Sequence, residues 1–201
     1  MRALLWCNGK ISNPEIVDHL SQGATLFGVD GGADKAAKLG FNVEQVIGDL
    51  DSVNRTNWEN TTILSDESSS DLVKALHYVS NRGYKEVDVV GIEGGCPDHI
   101  LGIWAALCDA PPNLNIRLHH ELGKTVRYHP NSGKMRLSMP IDTEFSVFAL
   151  ENCDHVEVTG AKWEINSEPM KFSTRGLHNI AKQENIFLTS DGIMAIIIHN
   201  H

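Results

Sequence analysis

Glycine-rich and acidic segments occur at four places in the first half of the chain, and each follows a short apolar run. They are Asp30-Gly31-Gly32 and the segments at residues 48–52, 66–71 and 94–99. Closely spaced carboxylates are the hard oxygen ligands that Mg²⁺ prefers, and Mg²⁺ often binds substrate phosphates as well. Glycines allow backbone N–H groups to approach phosphate oxygens. These residue types therefore indicate chemistry on a metal-bound phosphate.

Each acidic segment also has a purely structural explanation when it is taken alone. Asp49 and Asp51 are compatible with an Asx turn and a helix cap. Asp71 suits a helix N-terminus, and Lys74 suits an exposed ion-pair partner three residues further on. Four acidic segments at one edge of a sheet, however, would repel one another strongly unless a cation lies among them. The set as a whole therefore favours a functional site.

Composition excludes several classes of protein. The chain has 201 residues, of which 41% are hydrophobic and 21% are charged, as is typical of globular proteins. Its net charge of −9 argues against binding nucleic acid through a basic surface. No apolar run approaches the ~20 residues of a membrane helix, and we expect residues 1–9 to form a strand rather than a secretory signal. The four cysteines form no Cys-x-x-Cys pair, so we expect a cytoplasmic protein without a disulfide framework.

Two common nucleotide-binding motifs do not occur in the sequence. There is no Gly-x-x-x-x-Gly-Lys-Ser/Thr loop, which excludes the P-loop enzymes. No Gly-x-Gly-x-x-Gly follows the first apolar run, which argues against a dinucleotide-dependent dehydrogenase. Any phosphate site must therefore be built in another way.

Strand and helix patterns alternate in the first half of the chain. Apolar runs predict strands at residues 3–7, 24–29, 45–47, 61–64, 87–92 and 116–120, and helices are predicted from Pro14, at 33–39 and 71–81, and from Pro97 to about Cys108. Such alternation with short connections predicts a parallel sheet covered by helices. We therefore predict a Rossmann-like α/β domain at residues 1–122.

The second half changes to short strands separated by turns. Strands are predicted at residues 125–128, 134–138, 144–150, 155–158, 186–188 and 194–198. Asn131-Ser132-Gly133 and Ser190-Asp191-Gly192 have the composition of hairpin turns. Residues 123–201 are therefore predicted to form a small all-β sandwich domain.

The predicted parallel sheet brings the acidic segments together. In an open parallel sheet, ligands bind outside the carboxyl ends of the strands. Each of the four acidic segments follows a predicted strand, so all four are expected at the same edge of the sheet. This convergence predicts a single site for a metal ion and a phosphate.

Motifs along nearly the whole chain resemble those of thiamine pyrophosphokinases. In the first half they are Val29-Asp30-Gly31-Gly32-Ala33-Asp34, Ile47-Gly48-Asp49-Leu50-Asp51-Ser52, Ser70-Asp71-Leu72-Val73-Lys74-Ala75-Leu76 and Gly94-Gly95-Cys96-Pro97-Asp98-His99. In the second half Thr159-Gly160-Ala161-Lys162-Trp163, Phe172-Ser173-Thr174 and Asn179 resemble the Gly-x-Lys-Trp and later Ser-Asn segments of that family.

The resemblance implies a fold, a reaction and an assembly. It implies an α/β ATP-binding catalytic domain followed by a β-sandwich that binds thiamine and forms a homodimer. Thiamine would lie between the α/β domain of one subunit and the β-domain of the other. The implied reaction transfers the diphosphate of ATP to the hydroxyl of thiamine, releases AMP and needs Mg²⁺.

The resemblance also implies a role for each motif residue. Asp49, Asp51 and Asp71 would hold the metal and, with Asp98 and Lys74, form the catalytic set. The residues implied to border the nucleotide are Asp30, Gly31, Gly32, Ser70 and His99. The residues implied to bind thiamine are Trp163, which would stack on a ring of the substrate, and Ser173, His178 and Asn179.

The sequence departs from the family pattern at several positions. Ser68 stands where the family has Asp, and Asp34 where it often has Asn. Cys96-Pro97 precede the Asp-His pair in place of Arg, Ile103 lies in the stretch where an Asn is common, and His178 replaces a Ser. We expect these departures to affect the turnover rate and the choice of acceptor more than the fold.

Three other functions are compatible with the same residues. The segment at residues 49–53 resembles the Asp-x-Asp motif of haloacid-dehalogenase-like phosphatases, although that motif normally follows the first strand and here follows the third. A pyrophosphokinase for another hydroxymethyl heterocycle, such as a pterin, would keep the chemistry and change the acceptor. A non-catalytic binding module would keep the fold alone.

Overall fold

The computed structural model of the protein describes residues 1–11 and 13–200. The chain forms two compact units, Met1–Glu121 and Leu122–His201. Among the described residues, none of the helices combines the length and the apolar character needed to cross a membrane.

The first unit alternates strands and helices. Its elements are β1 (Arg2–Trp6), α1 (Pro14–Ser21), β2 (Thr25–Val29), α2 (Gly32–Lys38), β3 (Gln45–Gly48), β4 (Thr61–Ile63), α3 (Asp71–Asn81), β5 (Glu86–Val90), α4 (Pro97–Asp109) and β6 (Asn115–His120). All neighbouring strands are parallel, in the order β6-β5-β1-β2-β3-β4. The predicted parallel α/β sheet is therefore confirmed.

Local sequence signals explain where the helices begin. At α1 the side chain of Asn13 accepts a hydrogen bond from the backbone N–H of Glu15 at 2.9 Å. Pro14 occupies the first helical position, where its lack of an N–H costs the helix no hydrogen bond. Ser70 caps α3 by accepting from the N–H of Val73. The predicted apolar stripe of α3 is buried as expected: Leu72, Ala75, Leu76 and Val79.

The second unit consists entirely of antiparallel strands. They are β7 (Gly123–Tyr128), β8 (Met135–Ser138), β9 (Glu144–Ala149), β10 (Cys153–Thr159), β11 (Ile165–Met170), β12 (Asn179–Ile180), β13 (Asn185–Ser190) and β14 (Met194–His199). One sheet has the order β12-β9-β14-β7 and the other β11-β10-β13-β8. Phe145 and Ile196 of the first sheet share one core with Val156 and Leu188 of the second. The unit is therefore a sandwich.

The two predicted hairpin turns are wrong. Asn131-Ser132-Gly133 connects β7 with β8, and Ser190-Asp191-Gly192 connects β13 with β14, but each connection joins strands of different sheets. Asn, Asp and Gly mark the place where the chain turns and do not select the partner strand. The partner is selected by burial of one face of each strand in the shared core.

The prediction also missed two strands. β11 contains Pro169, which has no backbone N–H to donate to a neighbouring strand. The strand lies at the edge of its sheet, where proline is tolerated. β12 has only two residues, too few to give a periodic pattern.

A charged network joins β5 and β6. Asp88 is only 1% exposed, and it pairs in register with Arg117. Arg117 donates to both oxygens of that carboxylate at 2.8 and 3.1 Å, and His119 Nε2 lies 2.7 Å from Oδ1. Burial alone would raise the pKa of Asp88, but these hydrogen bonds outweigh it and lower the pKa to about 2. The ionised carboxylate therefore stabilises the fold.

We expect Asp88→Asn to lower the free energy of unfolding at neutral pH by up to about 3–5 kcal/mol, because Arg117 and His119 lose their charged acceptor. The folded-state pKa of Asp88 lies below its ordinary value of 3.8. Its contribution to stability is therefore complete above about pH 5 and is lost as the pH falls towards 2. Urea unfolding over this pH range, with the exposed Asp18→Asn as control, measures both effects. Identical acid dependence in the wild type and in Asp88→Asn would contradict the assignment.

Candidate active site

Three aspartates come together at the ends of two neighbouring strands. Asp30 directly follows β2, and Asp49 and Asp51 follow β3. Each offers one carboxylate oxygen, and these oxygens lie within 4.8 Å of one another. We call Asp30, Asp49 and Asp51 the carboxylate cluster. Asp30 is buried, whereas Asp49 and Asp51 are exposed.

Ser52 joins the two loops that carry the cluster. Its hydroxyl donates to the carboxylate of Asp30 and accepts from the backbone N–H of Gly31 at 3.2 Å. Its own N–H donates to Asp30 Oδ1 at 3.3 Å, and Asn8 Nδ2 lies 3.3 Å from the hydroxyl. Ser52 was not among the predicted site residues, although it ends the Asp-x-Asp-Ser motif.

Two residues of these loops adopt backbone conformations that are rare for residues other than glycine. Asp30 has φ 48° and Leu50 has φ 62°, both in the left-handed region. Leu50 is nevertheless buried, where it packs with Ala33, Val46 and Val53. This anchor turns its two neighbours, Asp49 and Asp51, towards solvent.

Arg55 holds the same loop from its backbone side. Its Nε donates to the carbonyl of Leu50 at 2.9 Å, and its Nη2 donates to the carbonyl of Asp49 at 3.0 Å. No motif pointed to Arg55, because its contacts are with backbone atoms and carry no signal in the sequence.

Mutual repulsion affects protonation within the carboxylate cluster. The pKa of Asp51 is raised, first by the charge of Asp49 and then by that of Asp30. Three carboxylates this close together gain from a bound cation, which offsets their mutual repulsion. Their oxygen-only donor set and close spacing fit Mg²⁺. Asp71, predicted as a metal ligand, is not a member of this group within the described residues, and its metal role stays a prediction.

Asp71 instead pairs with Lys74 one helical turn further on. Lys74 Nζ lies 2.7 Å from Asp71 Oδ1, and the lysine side chain is only 9% exposed. Burial lowers the pKa of Lys74, but the hydrogen bond and charge of Asp71, with the charges of Asp49 and Asp66, raise it above its ordinary value. Lys74 is thus a permanent cation beside the acidic loops.

The segment between β4 and α3 borders an open cleft. A cleft of about 450 Å³ is lined by Asp49, Asp66, Asp71 and Lys74 among others. Ser68 and Ser69 donate to Asp66 at 2.6 and 2.7 Å and lower its pKa to about 2. Ser68, where the family has Asp, therefore fixes a neighbouring carboxylate here. Ser70 lines the same cleft.

Burial also raises the pKa of a nearby thiol. Cys7 follows β1, and burial together with the charge of Asp71 raises its pKa to about 12. A thiol with so high a pKa remains protonated and is a poor nucleophile. Cys7 is therefore not a nucleophile at neutral pH.

Asp98 and His99 stand apart from the carboxylate cluster in the described contacts. Both are exposed at the start of α4, and Asp98 Oδ1 accepts from the N–H of His99 at 3.0 Å. Throughout residues 1–11 and 13–200, no hydrogen bond or ion pair links them to Asp30, Asp49 or Asp51. Their predicted roles stay predictions.

A second cleft lies within the sandwich unit. It has a volume of about 450 Å³, and its lining includes Trp163, His178 and Asn179. We call it the aromatic cleft. The structure thus brings three of the four predicted thiamine-binding residues together, whereas Ser173 does not line the cleft.

The residues of the aromatic cleft differ in what they contact. Asn179 is buried and holds the backbone of Trp163, accepting from its N–H at 3.1 Å and donating to its carbonyl at 2.7 Å. Trp163 is 54% exposed, and Lys162 Nζ lies 4.3 Å from the centroid of its ring. The ring face therefore already attracts a cation.

Carboxylates at the ends of parallel strands, with a largely buried lysine side chain beside them, suit the binding of metal-bound phosphate groups. A model of the family described as "Thiamin pyrophosphokinase, catalytic domain" matches residues 17–118, slightly more than half of the chain. The chain therefore belongs to the thiamin pyrophosphokinase family. No curated protein sequence matches the chain significantly.

Solved structures share the fold of the entire chain at low sequence identity. Thiamine pyrophosphokinase from Bacillus subtilis superposes with a TM-score of 0.84 at 20% identity, covering 100% of this chain and 99% of that one. Thiamin pyrophosphokinase from Geobacillus thermodenitrificans gives 0.80 at 19% identity, with 100% and 98% covered. Thiamin pyrophosphokinase from Candida albicans gives 0.80 at 13% identity, with 100% and 90% covered. At these identities the likeness shows the fold alone.

We expect Gly32→Ala to destabilise the first unit by about 1–3 kcal/mol, as overpacking typically does. A Cβ at Gly32 would lie 2.0 Å from the backbone oxygen of Trp6, so α2 could not start so close to β1. Gly102→Ala, inside α4 with no atom within 4 Å of the added carbon, is the matched control and should be neutral or stabilising. Urea unfolding measures both variants, and unchanged stability of Gly32→Ala would contradict the close approach.

Proposed function

We propose that this chain transfers the diphosphate of ATP to the hydroxyl of thiamine and releases AMP. The observation that carries the proposal is the carboxylate cluster beside Lys74, in a chain of the thiamin pyrophosphokinase family. The order of strands in the first unit reverses between β1 and β5. Nucleotides bind at such reversals in Rossmann-like sheets, and we assign that type of sheet to this unit.

The carboxylate cluster would hold Mg²⁺, and Asp71 is proposed to assist from the start of α3. When bound, the metal ion neutralises charge on the phosphates of ATP. The backbone of Gly31 and Gly32 follows Asp30 directly, and we assign it to the phosphates together with Ser70 and Lys74. Asp98 and His99 are assigned to the same nucleotide from the start of α4.

The transfer step is a displacement at the β-phosphorus of ATP. The hydroxyl oxygen of thiamine forms the new bond, the bond to the bridging oxygen of the α-phosphate breaks, and AMP leaves with that oxygen. A carboxylate of the site accepts the hydroxyl proton. The main contribution of the protein is positioning and charge neutralisation, in which Lys74 balances the phosphate charge.

The aromatic cleft is assigned to thiamine. A cationic heterocycle over the Trp163 ring gains ~0.5–2 kcal/mol. Lys162 now lies over that ring, so substrate would take the place of its ammonium group. Asn179 acts by holding Trp163, and His178 is assigned to the edge of the same cleft. Ser173, which does not line the cleft, is assigned to thiamine from beyond its lining.

A homodimer and a cytoplasmic location complete the proposal. Ile100 and Leu101 of α4 are 40% and 65% exposed, which gives an apolar surface that a second subunit would cover. All four cysteines are free, as is usual in a reducing compartment.

The test of the main proposal is Mg²⁺- and thiamine-dependent formation of AMP by the purified chain. A panel of acceptors that includes a hydroxymethyl pterin identifies the preferred substrate. Release of inorganic phosphate without an acceptor would instead support a phosphohydrolase. Absence of both products, in a folded protein, would support a non-catalytic module.

Asp49→Asn and Asp51→Asn should each reduce kcat by at least ~100-fold, because each removes a charge from the proposed metal site. Their melting temperatures should change little, since both side chains are exposed. The control is Asp18→Asn, which removes an exposed carboxylate from α1. A large loss of stability with an unchanged rate would show that the cluster is structural.

Trp163→Ala should raise the KM for thiamine about 2- to 30-fold, the equivalent of ~0.5–2 kcal/mol, and leave the KM for ATP unchanged. Steady-state kinetics with each substrate varied in turn measures this. Phe172→Ala, which removes an aromatic ring that is 68% exposed in the same unit, is the control. Equal changes in both KM values would argue against stacking.

A further inference from the structure

Two histidines and a glutamate come together at the ends of three neighbouring strands of the sandwich, with His178 directly before β12. Glu144 begins β9 and pairs in register with Ile180 of β12. His178 lies two residues before Ile180 along the chain, and His199 ends β14, the strand on the other side of β9. Strand pairing therefore brings these three side chains to one place.

Both imidazoles approach the same carboxylate oxygen. His178 Nδ1 contacts Glu144 Oε1, and His199 Nε2 lies 3.9 Å from that oxygen. The two rings are nearly parallel, with centroids 6.3 Å apart and an interplanar angle of 13°. One carboxylate oxygen thus faces an imidazole nitrogen on each side, although the three atoms are not yet all within 4.8 Å of one another.

The three side chains are free to adjust their positions. His178, Glu144 and His199 are 65%, 44% and 40% exposed. His178 also stands where the family resemblance places Ser, so this arrangement is a feature of this chain. No part of the proposed diphosphate transfer uses Glu144 or His199.

We propose that His178, Glu144 and His199 form a surface site for a transition-metal cation of the Zn²⁺ type. Two imidazole nitrogens and a carboxylate oxygen are a donor set that Zn²⁺ uses, with water in the fourth position. Zn–N and Zn–O distances are ~2.0–2.2 Å, so binding requires both imidazoles to turn until their nitrogens and the Glu144 oxygen surround one point. The oxygen-only carboxylate cluster of the first unit is chemically different and suits Mg²⁺.

The site is tested by isothermal titration of Zn²⁺ into the untagged full chain without ATP or thiamine, so its outcome is independent of the proposed function. Excess Mg²⁺ is present to saturate the carboxylate cluster. We expect one tight Zn²⁺ site, and an affinity reduced by at least the ~10–100-fold that loss of a supporting residue costs when His199→Gln or His178→Ser removes a ligand. His155→Ala, an exposed histidine of the same unit, should bind Zn²⁺ like the wild type.

Cobalt supplies a second readout that reports the ligands themselves. Co²⁺ bound to the wild type should show visible absorption from imidazole coordination, and His199→Gln should lose it. Equal Zn²⁺ affinity in the wild type and His199→Gln, or equal loss in His155→Ala, would overturn the proposal. If His199→Gln alters the melting temperature of the metal-free chain, Glu144→Gln takes its place and the same two outcomes apply.

Discussion

The site depends on holding three negative charges closer together than they would stay by themselves. Asp30, Asp49 and Asp51 approach within 4.8 Å, and their repulsion raises the pKa of Asp51. The fold opposes this repulsion with contacts that are largely uncharged. Leu50 is buried between the two exposed aspartates, and Ser52 ties their loop to Asp30. A site built under such strain is prepared for a cation, because binding relieves the repulsion that folding imposed.

The loops that carry the cluster also have strained backbone, in the left-handed region of φ. A non-glycine residue in that region costs of the order of 1–3 kcal/mol and persists only where the surroundings determine it. Asp30, a member of the cluster, and Leu50, which lies between its other two members in the chain, both adopt it. Arg55 and the core around Leu50 supply the compensating contacts. The strained backbone of these loops thus lowers stability, and the packing around Leu50 offsets that loss.

In the sandwich unit, an aromatic side chain is held with part of its surface exposed to solvent. A tryptophan ring gains by being buried, yet Trp163 is 54% exposed. Buried Asn179 makes this possible, because it accepts from the N–H of Trp163, donates to the carbonyl of Trp163 and so fixes the turn. Family membership alone does not show this role, since Asn179 was expected to contact substrate directly.

The sequence by itself determined the elements of the first unit and the identity of its chemical groups. Periodic apolar runs and caps such as Asn13 and Ser70 are local signals, so the strands, α3 and the parallel sheet could be predicted. Tertiary structure decided which groups meet. It added Asp30 to Asp49 and Asp51, buried most of the Lys74 side chain beside Asp71, and gave Ser52 its contact with Asp30. It also made Ser190-Asp191-Gly192 a connection between β13 and β14, which lie in different sheets, rather than a hairpin turn. These outcomes follow from burial and long-range pairing, which couple residues far apart in the chain and leave no local pattern.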